Sequence, residues 1–198
     1  MATVTELNRR LTLAIERARP DTVKTCVTRL DRLEIQWVQR QNRLTRRPGL
    51  RACAILVSTC AAGWLYLLVA IAVMIPDPRQ GATVVFAAGL AVAVAQAVYA
   101  LGKRFVARPR PFTTDQTIES LGVPLDQYSF PSGHCMTAAA VCVAIGTAFP
   151  LSIPAGIAMV VLVGWARIAC AHHYPTDVLA GAALGAGIAL PVSLILLW

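Results

Sequence analysis

Apolar residues in this chain gather into five long runs, separated by polar connections and preceded by a stretch of different character. The runs cover approximately residues 52–75, 82–101, 134–149, 153–171 and 178–198. A helix needs roughly 17 to 25 residues to cross the hydrocarbon core, and most of the runs approach or exceed that length. The third is short, yet it can span if its polar start is recessed among other helices. MIPDPRQG at 74–81 makes a hairpin of the first two spans, FPLSIP at 149–154 joins the third to the fourth, and 102–133 is the long connection. The pattern predicts an all-α, multi-span helical membrane protein. In the fifth run Gly181 and Gly185 form a GxxxG pair, a spacing that favours close helix contact.

Residues 1–50 read as an amphipathic helical arm, leaving 51–198 as the membrane domain. Val4, Leu7, Leu11, Ala14 and Ala18 recur at helical spacing, Pro20 and Asp21 interrupt, and Val23, Val27, Leu30, Leu33, Trp37 and Leu44 form a second series. Such helices either lie on the membrane or pack against the membrane domain. Arg46, Arg47, Pro48 and Gly49 mark the turn into the first span.

Composition strengthens the membrane reading, with 57% hydrophobic and only 14% charged residues, against about 25% charged in soluble domains. The net charge of +8 is concentrated in residues 1–51, which hold twelve basic and five acidic side chains. A basic arm beside a bilayer implies anionic lipid headgroups or a topology signal. Nucleic acid is not expected as a partner, because no aromatic platform or recognised nucleic-acid fold accompanies the charge. The first apolar run is too long and too late for a cleavable signal, so targeting is expected to fall to the first span. Cys26, Cys53, Cys60, Cys135, Cys142 and Cys170 contain no CxxC pair and mostly fall within spans. They read as small apolar packing residues rather than disulfides or metal ligands.

Outside the arm, polar groups collect in the connection from Gly102 to His134 and in the short one from Arg167 to Asp177. Two spans lie between them, so both connections reach the same membrane face. Lys103, Arg104, Arg108, Arg110, Arg167, three histidines and Asp177 can therefore meet. Asp115, Glu119 and Asp126 show no paired arrangement suited to magnesium, nor is there a zinc-like ligand pattern. The cluster suits an anion such as phosphate, although Arg104 and Arg108 taken alone could simply snorkel from span ends. Pro131, Ser132 and Gly133 stand directly before an apolar helix, whose first-turn N–H groups form an anion site. Ser132 can cap that helix, and Gly133 allows close approach to the backbone. Pro175 suits a first helical turn, which sets Asp177 in the first turn of the last helix, within reach of an imidazole just before it.

Three motifs then fall into register. Lys103 is followed after six residues by Arg110 and Pro111, Pro131-Ser132-Gly133-His134 comes next, and Arg167 is followed by His173 and Asp177. This resembles the signature of the type 2 phosphatidic acid phosphatase (PAP2) superfamily, over approximately residues 82–198. The resemblance implies a helical bundle core and a phosphatase that needs no cofactor or metal. It implies that His173 is a nucleophile forming a phosphohistidine, that Asp177 orients it, and that His134 protonates the leaving oxygen and later activates water. Lys103, Arg110, Ser132, Gly133 and Arg167 would hold the phosphoryl oxygens. His172 fits neither family interval and reads as a neighbour. Ala166 stands where the family usually has serine, which removes one hydroxyl from the expected phosphate site.

A multi-span chain with its site at a membrane face is expected to act on a lipid phosphate or diphosphate, of polyprenyl diphosphate, phosphatidate or phosphatidylglycerophosphate type. The alternative, a catalytically silent lipid-phosphate-binding scaffold, would predict a damaged catalytic set. The expected location is the bacterial inner (plasma) membrane. Arg40, Arg43, Arg46, Arg47 and Arg51 precede the first span while only Arg79 marks its far side, so the positive-inside rule points the arm and the site to the cytoplasm.

Overall fold

The computed structural model describes residues 21–124 and 126–198. The series Val4 to Ala18 and the side chains of Val23 and Val27 lie outside the described residues. Helix α1 (Asp21–Leu44) precedes α2 (Pro48–Cys60), α3 (Trp64–Met74) and α4 (Pro78–Val106). The short α5 (Pro111–Thr114) interrupts the long connection, followed by α6 (Gly133–Ala148), α7 (Ile153–Ala169, entered through a 3-10 turn at Pro150–Ser152) and α8 (Pro175–Leu197). Among the described residues the only β pairing is an isolated bridge between Pro109 and Tyr128, so the fold is all-α.

Three helical stretches are each long and apolar enough to cross a membrane: Pro78–Val106, Pro150–Ala169 and Pro175–Leu197. The first apolar run is not one straight span. It is broken between α2 and α3 with a 65° bend, at Ala61, Ala62 and Gly63, where glycine weakens a helix. Helix α6 is shorter, but it lies among α4, α7 and α8, with Cys135, Met136, Ala138, Ala140 and Ala144 buried along it. Its neighbours carry the lipid-compatible surface: Leu67, Leu68, Phe86, Val161, Leu179 and Ile195 are exposed apolar side chains. That arrangement lets a helix with a polar start sit at membrane depth. Helix α8 reaches α6 through the GxxxG pair. A methyl group at Gly181 would collide with the Ser132 carbonyl, and one at Gly185 with the Met136 carbonyl. Cys53, Cys60, Cys135, Cys142 and Cys170 are free thiols.

Helix α1 packs on the site end of the bundle, against α5, α7 and α8. Its packed face differs from the apolar series in the sequence. Asp31, Val38, Asn42 and Thr45 are buried, while Leu33, Trp37 and Leu44 are exposed. The reason is polar pairing. Asn42 Nδ2 donates to the carbonyls of Glu119 (2.8 Å) and Ala169 (3.0 Å) and its Oδ1 accepts from Glu119 N (3.1 Å), while Gln39 Nε2 reaches Asp115 Oδ2 at 2.6 Å. Val38 completes a small core with Ile118, Ala171 and Tyr174.

Candidate active site

The C-terminal ends of α4 and α7 and the N-terminal ends of α6 and α8 come together at one end of the bundle. A cavity of about 330 Å³ there is lined by Tyr66, Gln96, Tyr99, Arg110, Asp126, His134, Arg167 and His173, among others. The break after α2 helps to open it, since Ala61 and Ala62 form part of the wall.

His173 is 2% exposed. Its Nδ1 lies 2.7 Å from the Ser129 carbonyl, which can only accept, so Nδ1 carries the hydrogen and Nε2 holds the lone pair. Burial, followed by the charges of Arg167, Arg110 and Lys103, holds this imidazole well below its ordinary pKa. It is neutral at pH 7, with Nε2 3.5 Å from Arg167 Nη2. His172 lies elsewhere: its ring reaches the Gly122 carbonyl at 3.3 Å, and burial with Arg167 and Arg110 lowers its pKa to about 3. Ala171, in the left-handed conformation (φ 62), makes the turn that separates the two rings, and the main-chain N–H groups of both histidines donate to the Arg167 carbonyl.

Lys103, Arg110 and Arg167 are all buried. Lys103 and Arg110 converge on Asp126 Oδ1 at 3.0 and 2.8 Å, and Tyr99 donates to Asp126 Oδ2. Burial raises the Asp126 pKa, but the Tyr99 hydroxyl and the two cations outweigh it and hold the carboxyl below its usual range. Arg110 is anchored further by the carbonyls of Asp126 (2.9 Å) and His172 (2.6 Å). Arg167 Nη1 donates to Ser58 Oγ of α2 at 2.6 Å, so a hydroxyl beside Arg167 comes from a different helix than the Ala166 position. Arg167 Nε and Ser132 Oγ are buried without hydrogen-bond partners.

Ser132 makes no side-chain cap to α6; its backbone N–H donates to the Asp177 carbonyl instead (3.0 Å), which ties the starts of α6 and α8 together. The capping expected of its hydroxyl is therefore absent. Gly133 packs against the ring of Tyr99, where a methyl group would stand 2.8 Å from Cε2. His134 follows in the first turn and faces the cavity.

Asp177 is fully buried at the start of α8. Oδ2 accepts from Tyr174 N at 2.8 Å and lies 3.8 Å from His173 Nδ1, so the ring's Nδ1–H donates its hydrogen bond to Ser129 O and meets Asp177 only as a nearby charge. Oδ1 accepts from Arg108 Nη1 at 2.7 Å. Arg108, the arginine that could have been a snorkelling residue, is 1% exposed. It binds Asp31 (2.7 Å) and Glu34 (2.8 Å) of α1 and stacks 3.9 Å over the Tyr174 ring. Burial would lower its pKa; Asp177, Glu34 and Asp31 together raise it.

The structure thus brings together Lys103, Arg110, Ser132, Gly133, His134, Arg167, His173 and Asp177, whereas Arg104 is exposed and the His172 ring turns to Gly122. It adds Ser58, Tyr99 and Ser129, and gives Arg108 and Asp126, named in the sequence without a role, a place at the site. Ser129 acts through its backbone carbonyl, which no residue pattern marks, and Asp126 has no partner at any regular sequence interval. Among the described residues no group of three or more His, Cys, Asp or Glu could hold a metal.

The PAP2 superfamily profile matches residues 84–198. Decaprenylphosphoryl-5-phosphoribose phosphatase of Mycobacterium tuberculosis is 36% identical over 152 residues, covering 75% of this chain and 81% of that protein. The crystal structure of Aquifex aeolicus LpxE superposes with a TM-score of 0.70 at 25% identity, covering 82% of this chain and 95% of that one. The transmembrane PAP2 type phosphatidylglycerolphosphate phosphatase of Bacillus subtilis shares the fold, with a TM-score of 0.62 at 19% identity over 96% of this chain and 94% of the other. With motifs, bundle and similarity in agreement, the chain belongs to the PAP2 superfamily and is a multi-pass membrane phosphatase of that family.

Proposed function

We propose that the protein hydrolyses a phosphate monoester or diphosphate borne by a membrane lipid, through a phosphohistidine on His173. The observation that carries this is the neutral imidazole whose Nε2 lone pair meets Arg167 in a cavity with His134. Nε2 attacks phosphorus as the bond from phosphorus to the leaving oxygen breaks, and His134 in its protonated form gives that oxygen its proton. The imidazolium so formed donates Nδ1–H to Ser129 O, with Asp177 balancing its charge at 3.8 Å. His134 then takes a proton from water, the hydroxide attacks phosphorus, and the bond from Nε2 to phosphorus breaks to release phosphate. Lys103, Arg110 and Arg167, with Ser132 Oγ and the Gly133 N–H, hold the phosphoryl oxygens and offset their charge. Three cations supply that charge, so the scheme requires no metal.

Polyprenyl diphosphates, phosphatidate and phosphatidylglycerophosphate are the candidate lipids. A polyprenyl-linked phosphopentose joins them because the mycobacterial relative is named for one. The exposed Leu33, Trp37 and Leu44, with Arg40, Arg43, Arg46 and Arg47 on α1 and just beyond it, suit a surface of anionic headgroups. The arginine bias supports the reading that this surface, and the site with it, faces the cytoplasm. The test is phosphate release by purified protein in detergent, with chelator, across these lipids. Release abolished in His173→Ala supports the proposal, whereas release that survives in His173→Ala, or none from any lipid, contradicts it.

A further inference from the structure

The matched family segment starts at residue 84, yet two side chains of α1 reach the residues behind the nucleophile. We propose that Asp31 and Glu34 of the arm are positioning residues of the active site, acting through Arg108 on Asp177 and so on His173. The inference rests on the hydrolytic reading above.

The contacts form a closed set. Arg108 presents Nε to Asp31 (2.7 Å), Nη2 to Glu34 (2.8 Å) and Nη1 to both Asp177 and Thr176 Oγ1 (2.7 Å each). Glu34 also caps α8 directly, accepting from Thr176 N at 2.8 Å and from Thr176 Oγ1 at 2.7 Å. The arm therefore holds both the guanidinium and the helix turn that carries Asp177. A planar fork engaged on three sides cannot rotate without breaking a charge-assisted bond, and Asp177 is fixed by the same plane.

Charge gives the arrangement a second effect. Arg108 and Asp177 alone would make a neutral pair, with little field left at His173. Asp31 and Glu34 make it one cation among three carboxylates, so the Asp177 charge is not spent on Arg108. That matters when Nε2 bonds to phosphorus and the ring becomes cationic beside Lys103, Arg110 and Arg167. An arm that merely docked would need neither the alignment on Arg108 nor the cap on Thr176; Asn42 and Gln39 already supply docking bonds.

The test uses the full chain with Asp31→Asn and Glu34→Gln, singly and together, against Gln36→Ala on the exposed side of α1. Each is measured for kcat and KM on a lipid phosphate the parent hydrolyses, for monodispersity and melting in detergent, and for inhibition by orthophosphate. The expected result is a kcat roughly tenfold or more lower in the double variant, as for a misplaced reacting group. KM and orthophosphate inhibition should stay within about twofold of the parent, with parental behaviour in Gln36→Ala. Unchanged kcat in well-folded double variant, a loss confined to KM, or a loss equal to the fraction of protein misfolded would each overturn the inference while leaving the phosphatase reading intact. A parent that releases no phosphate from any lipid would overturn both, and an active His173→Ala would show that the nucleophile itself, not the arm, is misassigned and remove the inference with it.

Discussion

His172 and His173 are the same side chain in adjacent positions, and the backbone tells them apart. The left-handed turn at Ala171 sends one ring to the Gly122 carbonyl and the other to the Ser129 carbonyl beside Arg167. His173→Ala should lower kcat by about 10³-fold or more, as loss of an activated nucleophile does. His172→Ala should cost less than about tenfold, because its contribution to Arg110 is a main-chain carbonyl that alanine keeps; steady-state kinetics on one lipid phosphate compares them. Since burial and three cations depress the His173 pKa, its imidazole should stay neutral as pH falls through 6.5. Its ¹⁵N resonances should therefore hold between about pH 8 and 5 while a free histidine protonates, near pH 6.5. Asp126 already occupies Lys103 and Arg110, so Asp126→Asn should tighten inhibition by orthophosphate several-fold, read from its inhibition constant. The family intervals from Arg167 and Asp177 pointed to His173, and its ring does lie beside both. Ser129 and Asp126 were not, because a backbone carbonyl and a loop carboxylate enter the site only through the path of the long connection.

At the scale of elements, the apolar runs announced the bundle but not how its pieces lie. Gly63 and the two alanines before it carried the signal for the break after α2, yet an apolar run reads alike whether straight or bent. The arm shows a second limit. Periodicity located α1, but Leu33, Trp37 and Leu44 of its apolar series are turned outward and a polar side packs inward, since the polar connections offered Asn42, Gln39 and Asp31 their partners. The GxxxG pair was informative: Gly181 lies against Ser132 of the PSG motif, so helix contact and site geometry share one residue. Gly181→Leu should therefore separate α6 from α8. Overpacking costs about 1–3 kcal/mol or more, and the expected outcome is a lower melting temperature in detergent together with loss of activity.

For the whole molecule, the arm and the catalytic ends of α4, α6, α7 and α8 share one end of the bundle, so a single label reports the side of both. With Gln36→Cys in a chain whose native cysteines are replaced by alanine, a membrane-impermeant thiol reagent should react only after the membrane is opened, and reaction in intact cells would contradict the cytoplasmic reading. The central claim, however, is chemical. It is tested most directly by mixing the protein with a ³²P-labelled lipid phosphate, quenching in base to preserve phosphoramidates, and mapping the labelled residue by mass spectrometry. The account predicts phosphate on the imidazole of His173, absent in His173→Ala. Label on another residue, or full turnover with no covalent phosphate formed under single-turnover conditions, would contradict it.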